Sequence, residues 1–207
     1  MNNNQRNTSV LIGTLAVCGG ATFAGIRLAG ISEASLGEAL RLTAQLALLI
    51  YLLIFVARPL QVLRRGPVPL WLMRNRRYLG IAFAAVMTVH LVLILWLKFG
   101  VTGDGLQLLT VLLGVVAYAF IFLMLITSWD APTRALGPRH WKRLHTAGLY
   151  WIGLPFLFTM LLALRGHEEN GVYIAFVVLM AAAIFIRIAA WFRSRANAAG
   201  HARIPSA

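Results

Sequence analysis

The chain has 207 residues, 60% of them hydrophobic and 12% charged, with a mean hydropathy of +0.78. That composition excludes an ordinary soluble domain and a disordered chain. The excess of Lys and Arg, 19 against 6 Asp and Glu for a net charge of +13, suits a nucleic acid or a membrane surface until the charges are located along the chain. A single cysteine, Cys18, allows neither an internal disulfide nor a cysteine metal cluster.

A helix that crosses a bilayer takes about 20 mostly apolar residues. Six stretches qualify, residues 9–28, 39–56, 78–97, 106–127, 144–164 and 172–188. The expected fold is all-α, an integral membrane six-helix bundle forming a single transmembrane domain over residues 1–207. The first span follows Arg6 and is long for a cleavable signal; its Gly19, Gly20, Ala24 and Gly25 permit close helix approach. Pro67 and Pro69 predict a connection lying along the membrane surface between spans two and three. Pro155 predicts a kink in span five. Trp71, Trp96, Trp129, Trp141 and Trp191 fall near span ends, where an indole prefers the headgroup region.

With six spans both termini share a side. That side carries 15 of the Lys and Arg, concentrated between Arg58 and Arg77, between Arg134 and Arg143, and in the tail from Arg187. The other side carries four, Arg27, Arg41, Lys98 and Arg165, with five of the six acids. Cationic loops stay in the cytoplasm, so both termini are predicted there. The asymmetry accounts for the basic balance through membrane lipid, with no nucleic-acid partner.

The chain contains no G-x-G-x-x-G or G-x-x-x-x-G-K-[ST] fingerprint. No predicted span contains a carboxylate, which disfavours an ion-coupled transporter. What the spans do contain is histidine. His90 lies in an uncharged run between Arg77 and Lys98, and His145 at the entrance to span five. Each suits axial ligation of haem iron by a neutral imidazole; each also suits a packed or interfacial histidine bonded to a neighbour. His140, His167 and His201 fall in loops or the tail, and His167 with Glu168 and Glu169 makes a weak metal set.

Arg76-Arg77-Tyr-Leu-Gly80 with Val89-His90-Leu, and Thr127-Ser128 with Arg134-Ala-Leu-Gly137 and Trp141-Lys-Arg-Leu-His145, resemble the ferric reductase-like transmembrane domain. Within that family the likeness is to the haem-binding membrane subunits of methionine sulfoxide reductase systems, and it runs from about residue 39 onward. The resemblance implies electron passage across the membrane through haem b held between spans three and five, with His90 and His145 as iron ligands. Yet His90 lies 13 residues beyond Arg77, about 20 Å along a helix, whereas His145 is at the inner boundary, so the two do not pair easily on one iron. Where the family places a second histidine after the one matching His145, this chain has Phe158. Met160 is the candidate replacement at the depth of His90, and His145 faces Arg76, His140 or open solvent. One or two haem groups are implied, each site incomplete, or none.

The expected function is a membrane-embedded haem electron-transfer protein, an oxidoreductase membrane subunit of a bacterial inner membrane. It would take electrons from a cytoplasmic-side donor, a flavin reductase or quinone, and pass them outward to an acceptor. The alternative is a haem-free scaffold or partner subunit that has lost the redox centre. The topology is checked by cysteine-accessibility labelling at Ser128 and Asn170, which should report opposite sides of the membrane; labelling of both from one side would contradict the six-span reading.

Overall fold

The structure, a computed structural model, describes residues 3–103, 108–166 and 171–201. Among them it has six α-helices, α1 (Asn3–Ala29), α2 (Glu33–Leu63), α3 (Pro67–Leu95), α4 (Leu108–Ile126), α5 (Asp130–Gly166) and α6 (Gly171–His201), with a π-helical turn Trp96–Val101 continuing α3. An apolar chain without water must satisfy each backbone N–H and C=O within its own segment, and a helix does so. Five of the helices, all except α4, are long and apolar enough to cross a membrane. The apolar part of α4, Val111–Ile126, is shorter, and residue 106, where the fourth span was expected to begin, lies outside the described residues. The chain is an all-helical, multi-pass membrane protein.

One local feature differs from the expectation, and a second was not anticipated. The Pro67–Arg77 stretch is not a surface connection, because α3 begins at Pro67 and runs unbroken into the apolar segment. Proline in a first helical turn removes an N–H that has no helical partner anyway, and its fixed φ suits the start. Arg74, Arg76 and Arg77 therefore ride on the same helix as His90. In α5 the break falls at Gly137 (φ 74, ψ 159), backbone that a side chain would strain. Pro138 then opens the long second piece, which carries Pro155 within it.

Internal contacts divide the chain into two compact units, the first Met1–Tyr51 with Arg77–Phe156, the second Leu52–Arg76 with Leu157–Ala207. In the first, Ile26, Leu36, Ala39 and Leu93 form a buried cluster flanked by Leu40, Val89, Trp96 and Leu97. Elsewhere in that unit Tyr51 meets Phe156 at 5.6 Å and Phe83 at 6.2 Å between ring centroids. The Tyr51 hydroxyl donates to the Leu149 carbonyl at 2.8 Å, and so satisfies a phenol that hydrocarbon would otherwise penalise. In the second unit Phe55, Leu72, Met160, Phe176 and Met180 are buried.

Gly153 leaves room for that phenol. A Cβ at this position would stand 2.5 Å from Tyr51 Oη and 3.3 Å from its Cζ. Gly153→Ala is therefore expected to destabilise the protein by about 1–3 kcal/mol, the usual cost of overpacking. Tyr51→Phe removes the nearest clashing atom, so Gly153→Ala in that background should cost less than in the wild type. Thermal unfolding of the four proteins in detergent measures the coupling, and strict additivity would show that the two residues do not meet.

Candidate functional site

The first unit contains a polar knot where α4 ends. The Ser128 carbonyl accepts from Asn7 Nδ2 of α1 at 3.0 Å and from the Arg77 guanidinium of α3. Arg77 also donates to Asp130 Oδ1 at 3.1 Å. The Asp130 N–H points to Asn4 Oδ1 at 3.4 Å, a long contact. Asn7 is fully buried. A helix end presents carbonyls with no partner in the helix, and here the neighbouring helices supply the donors.

His145 is anchored one residue away. The Thr127 carbonyl accepts from Trp141 Nε1 at 3.1 Å and from Thr133 Oγ1 at 2.6 Å. The Thr127 hydroxyl lies 2.7 Å from the Leu123 carbonyl and 3.1 Å from His145 Nε2. Its one proton goes to the carbonyl, which can only accept, so the oxygen must accept from the ring. His145 is thereby assigned the Nε2–H tautomer, with its lone pair on Nδ1. Trp141 stacks on the imidazole at 4.1 Å between centroids and 25° between planes, covering one face.

His90 is held by the same logic with the nitrogens exchanged. Thr43 Oγ1 lies 2.8 Å from the Ala39 carbonyl and 3.0 Å from that of Leu40, and 2.9 Å from His90 Nδ1. The hydroxyl proton goes to a carbonyl of its own helix, the ring donates Nδ1–H to the hydroxyl oxygen, and the lone pair is on Nε2. A neutral imidazole fixed through one N–H and carrying a lone pair on the other nitrogen is what iron requires of an axial ligand. His90 fits haem on that test. His145 fits less well, because ligation through Nε2 would break its Thr127 bond.

The knot also sets the relative levels of the two rings. Arg77 reaches Ser128, the neighbour of the residue that anchors His145, and His90 is 13 residues farther along α3, about 20 Å at helical rise. The two histidines thus belong to different depths of the unit, as the sequence predicts. Arg76, Phe158 and Met160 fall in the second unit, where Met160 is buried and Phe158 half-exposed. Arg76 there lies within Coulombic reach of Arg187 and Arg58. His140 is exposed, and His167 lies outside the described residues.

Thr43, Thr127, Asn7 and Asp130 were not identified as functional from the sequence. Asp130 carried a signal, as the only acid on the strongly basic side. Thr127 belonged to the family-like Thr127-Ser128 segment but not as a partner of His145, and Thr43 carried only its polarity within an apolar run; their partners lie 18 and 47 residues away. Beside Thr43, residues of α1 and α2 including Gly13, Cys18, Gly25, Ala39 and Leu42 line an apolar cleft of about 780 Å³, a size that accepts a cofactor-sized molecule.

The model of the family "ferric reductase like transmembrane component" matches residues 42–157, more than half of the chain. The protein-methionine-sulfoxide reductase heme-binding subunit MsrQ of Polaromonas naphthalenivorans (strain CJ2) is 30% identical over 150 residues, 68% of this chain. The match spans 66% of that relative's length, slightly under two thirds. No solved structure matches.

The opposite tautomers are directly measurable. With histidine labelled in nitrogen-15, the wild-type protein should show His90 protonated at Nδ1 and His145 at Nε2. Thr127→Val should alter the His145 signals and leave those of His90 unchanged. One shared tautomer for both rings would contradict the assignment.

Proposed function

The chain belongs to the ferric reductase like transmembrane family, and from that membership we propose that it is a membrane-embedded b-type haem electron-transfer subunit. The observation that carries the proposal is the His90–Thr43 pair, an imidazole whose orientation and tautomer are set for a metal. His90 would hold the iron through Nε2, and Thr43 would keep the ring from turning. Val86 and Leu93, buried along the same helix, would keep water from that end. Bound haem would supply reversible one-electron carriage. His145 is the candidate ligand at the other level, through Nδ1 as the structure stands. Arg76 has no lone pair for iron.

The relative's name makes it the haem-binding subunit of a reductase that acts on methionine sulfoxide in proteins. By extension this chain would pass electrons from a cytoplasmic-side donor outward to a partner subunit, in a bacterial inner membrane. The donor would be a flavin reductase or a quinone.

The test is spectroscopic. Protein expressed with ample haem should show a Soret band and reducible α and β bands, and a quinol should reduce it. His90→Ala should abolish or strongly shift that absorption, while His167→Ala should not. A colourless wild-type protein would overturn the proposal and favour a haem-free scaffold.

A further inference from the structure

Asn7 Oδ1 and Arg77 Nε, both in the first unit, are buried and have no hydrogen-bond partner within the chain. Their side chains already share an acceptor. Asn7 donates Nδ2 to the Ser128 carbonyl at 3.0 Å, and Arg77 donates Nη2 to the same oxygen and to Asp130 Oδ1. In the carboxamide and in the guanidinium a single carbon separates the nitrogen in use from the idle atom, so both idle atoms border the same carbonyl. Turning the carboxamide over does not repair this. The Ser128 oxygen can only accept, so it requires the amide nitrogen on its side and leaves Oδ1 on the other.

What remains is one acceptor beside one donor. A buried polar atom left without a partner loses its hydration and gains nothing in return. An anion would be held by the Nε–H but repelled by Oδ1, and a cation would meet the reverse. A hydroxyl group can donate to the first atom and accept from the second, and water is the smallest molecule that does both. A buried water is held by about two to four polar partners, and these atoms supply two. Water also has a route in, because the Arg77 and Asp130 side chains are 32% and 33% exposed while Asn7 behind them is fully buried. We propose that a water molecule is bound in the polar knot, donating to Asn7 Oδ1 and accepting from Arg77 Nε, and that it completes the tie between α1 and α3. The site does not depend on the haem proposal.

The test uses the full chain, labelled with nitrogen-15 at arginine, in phosphatidylcholine liposomes. Magnetisation transferred from water protons in solid-state NMR identifies the side-chain nitrogens that touch water. The Arg77 Nε signal, recognised by its loss in Arg77→Lys, should receive that transfer at short mixing times in the wild-type protein. Asn7→Leu keeps the bulk but removes the acceptor, so the transfer to Arg77 Nε should fall severalfold, while that to the exposed Arg64 stays unchanged. The wild-type measurement decides the matter even if the variant does not fold, since an Arg77 Nε signal without transfer from water would overturn the proposal. Undiminished transfer in a folded Asn7→Leu protein would also overturn it, because water would then reach Arg77 from bulk solvent without bridging to Asn7. A third contrary result is an Arg77 Nε signal that shifts when chloride is exchanged for phosphate at equal ionic strength, which would assign the position to an anion.

Discussion

The Ser128 carbonyl is the point on which the first unit depends. It receives donors from α1 through Asn7 and from α3 through Arg77, while Asp130, at the start of α5, takes the charge of the same guanidinium. The Arg77–Asp130 pair is only partly buried, with side chains 32% and 33% exposed, so it adds modestly to the hydrogen bonds that converge on this carbonyl. A helix can slide along its neighbour in hydrocarbon at little cost when its surface is uniformly apolar. Fixing Arg77 and Asn7 to one carbonyl removes that freedom and sets the register of α1, α3 and the α4–α5 turn together.

The register determines the chemistry available to the two histidines. Thr127 precedes Ser128, so the turn that receives Arg77 also holds His145, and His90 falls at a separate level fixed by the length of α3. Each ring then meets a threonine hydroxyl whose proton is already committed to a carbonyl of its own helix. This arrangement makes the hydroxyl an acceptor toward the ring and selects one tautomer. Because Thr43 approaches Nδ1 and Thr127 approaches Nε2, the same device gives opposite tautomers. Two histidines that look alike in the sequence are thereby chemically unequal.

Much of the architecture was legible in the sequence because it follows from local properties. Spans are runs of apolar residues, and the separation of His90 from His145 follows from counting along α3. The early start of α3 was missed because Pro67 and Pro69 were read as breakers, although proline is compatible with a first turn. What could not be read was pairing. Nothing in the run from Leu42 to Leu53 indicates that Thr43 meets a residue 47 positions away while Tyr51 reaches Leu149. The division into two units was equally hidden, since its borders cut through α2, α3 and α5 rather than falling in loops.

That division separates residues that the sequence had grouped as one site. His90 and His145 lie in the unit that contains the described carboxylates, both ion pairs and the threonine anchors. Met160, Phe158 and Arg76 lie in the unit whose described part has arginines and no acid. In the first unit Arg77 is offset by Asp130. In the second, the Phe55 carbonyl accepts from Arg187, whose guanidinium also lies over the Phe55 ring. Adjacent residues on α3, Arg76 and Arg77, therefore differ in kind. Arg77 is an internal structural tie, whereas Arg76 belongs to the unit whose described part has no acid.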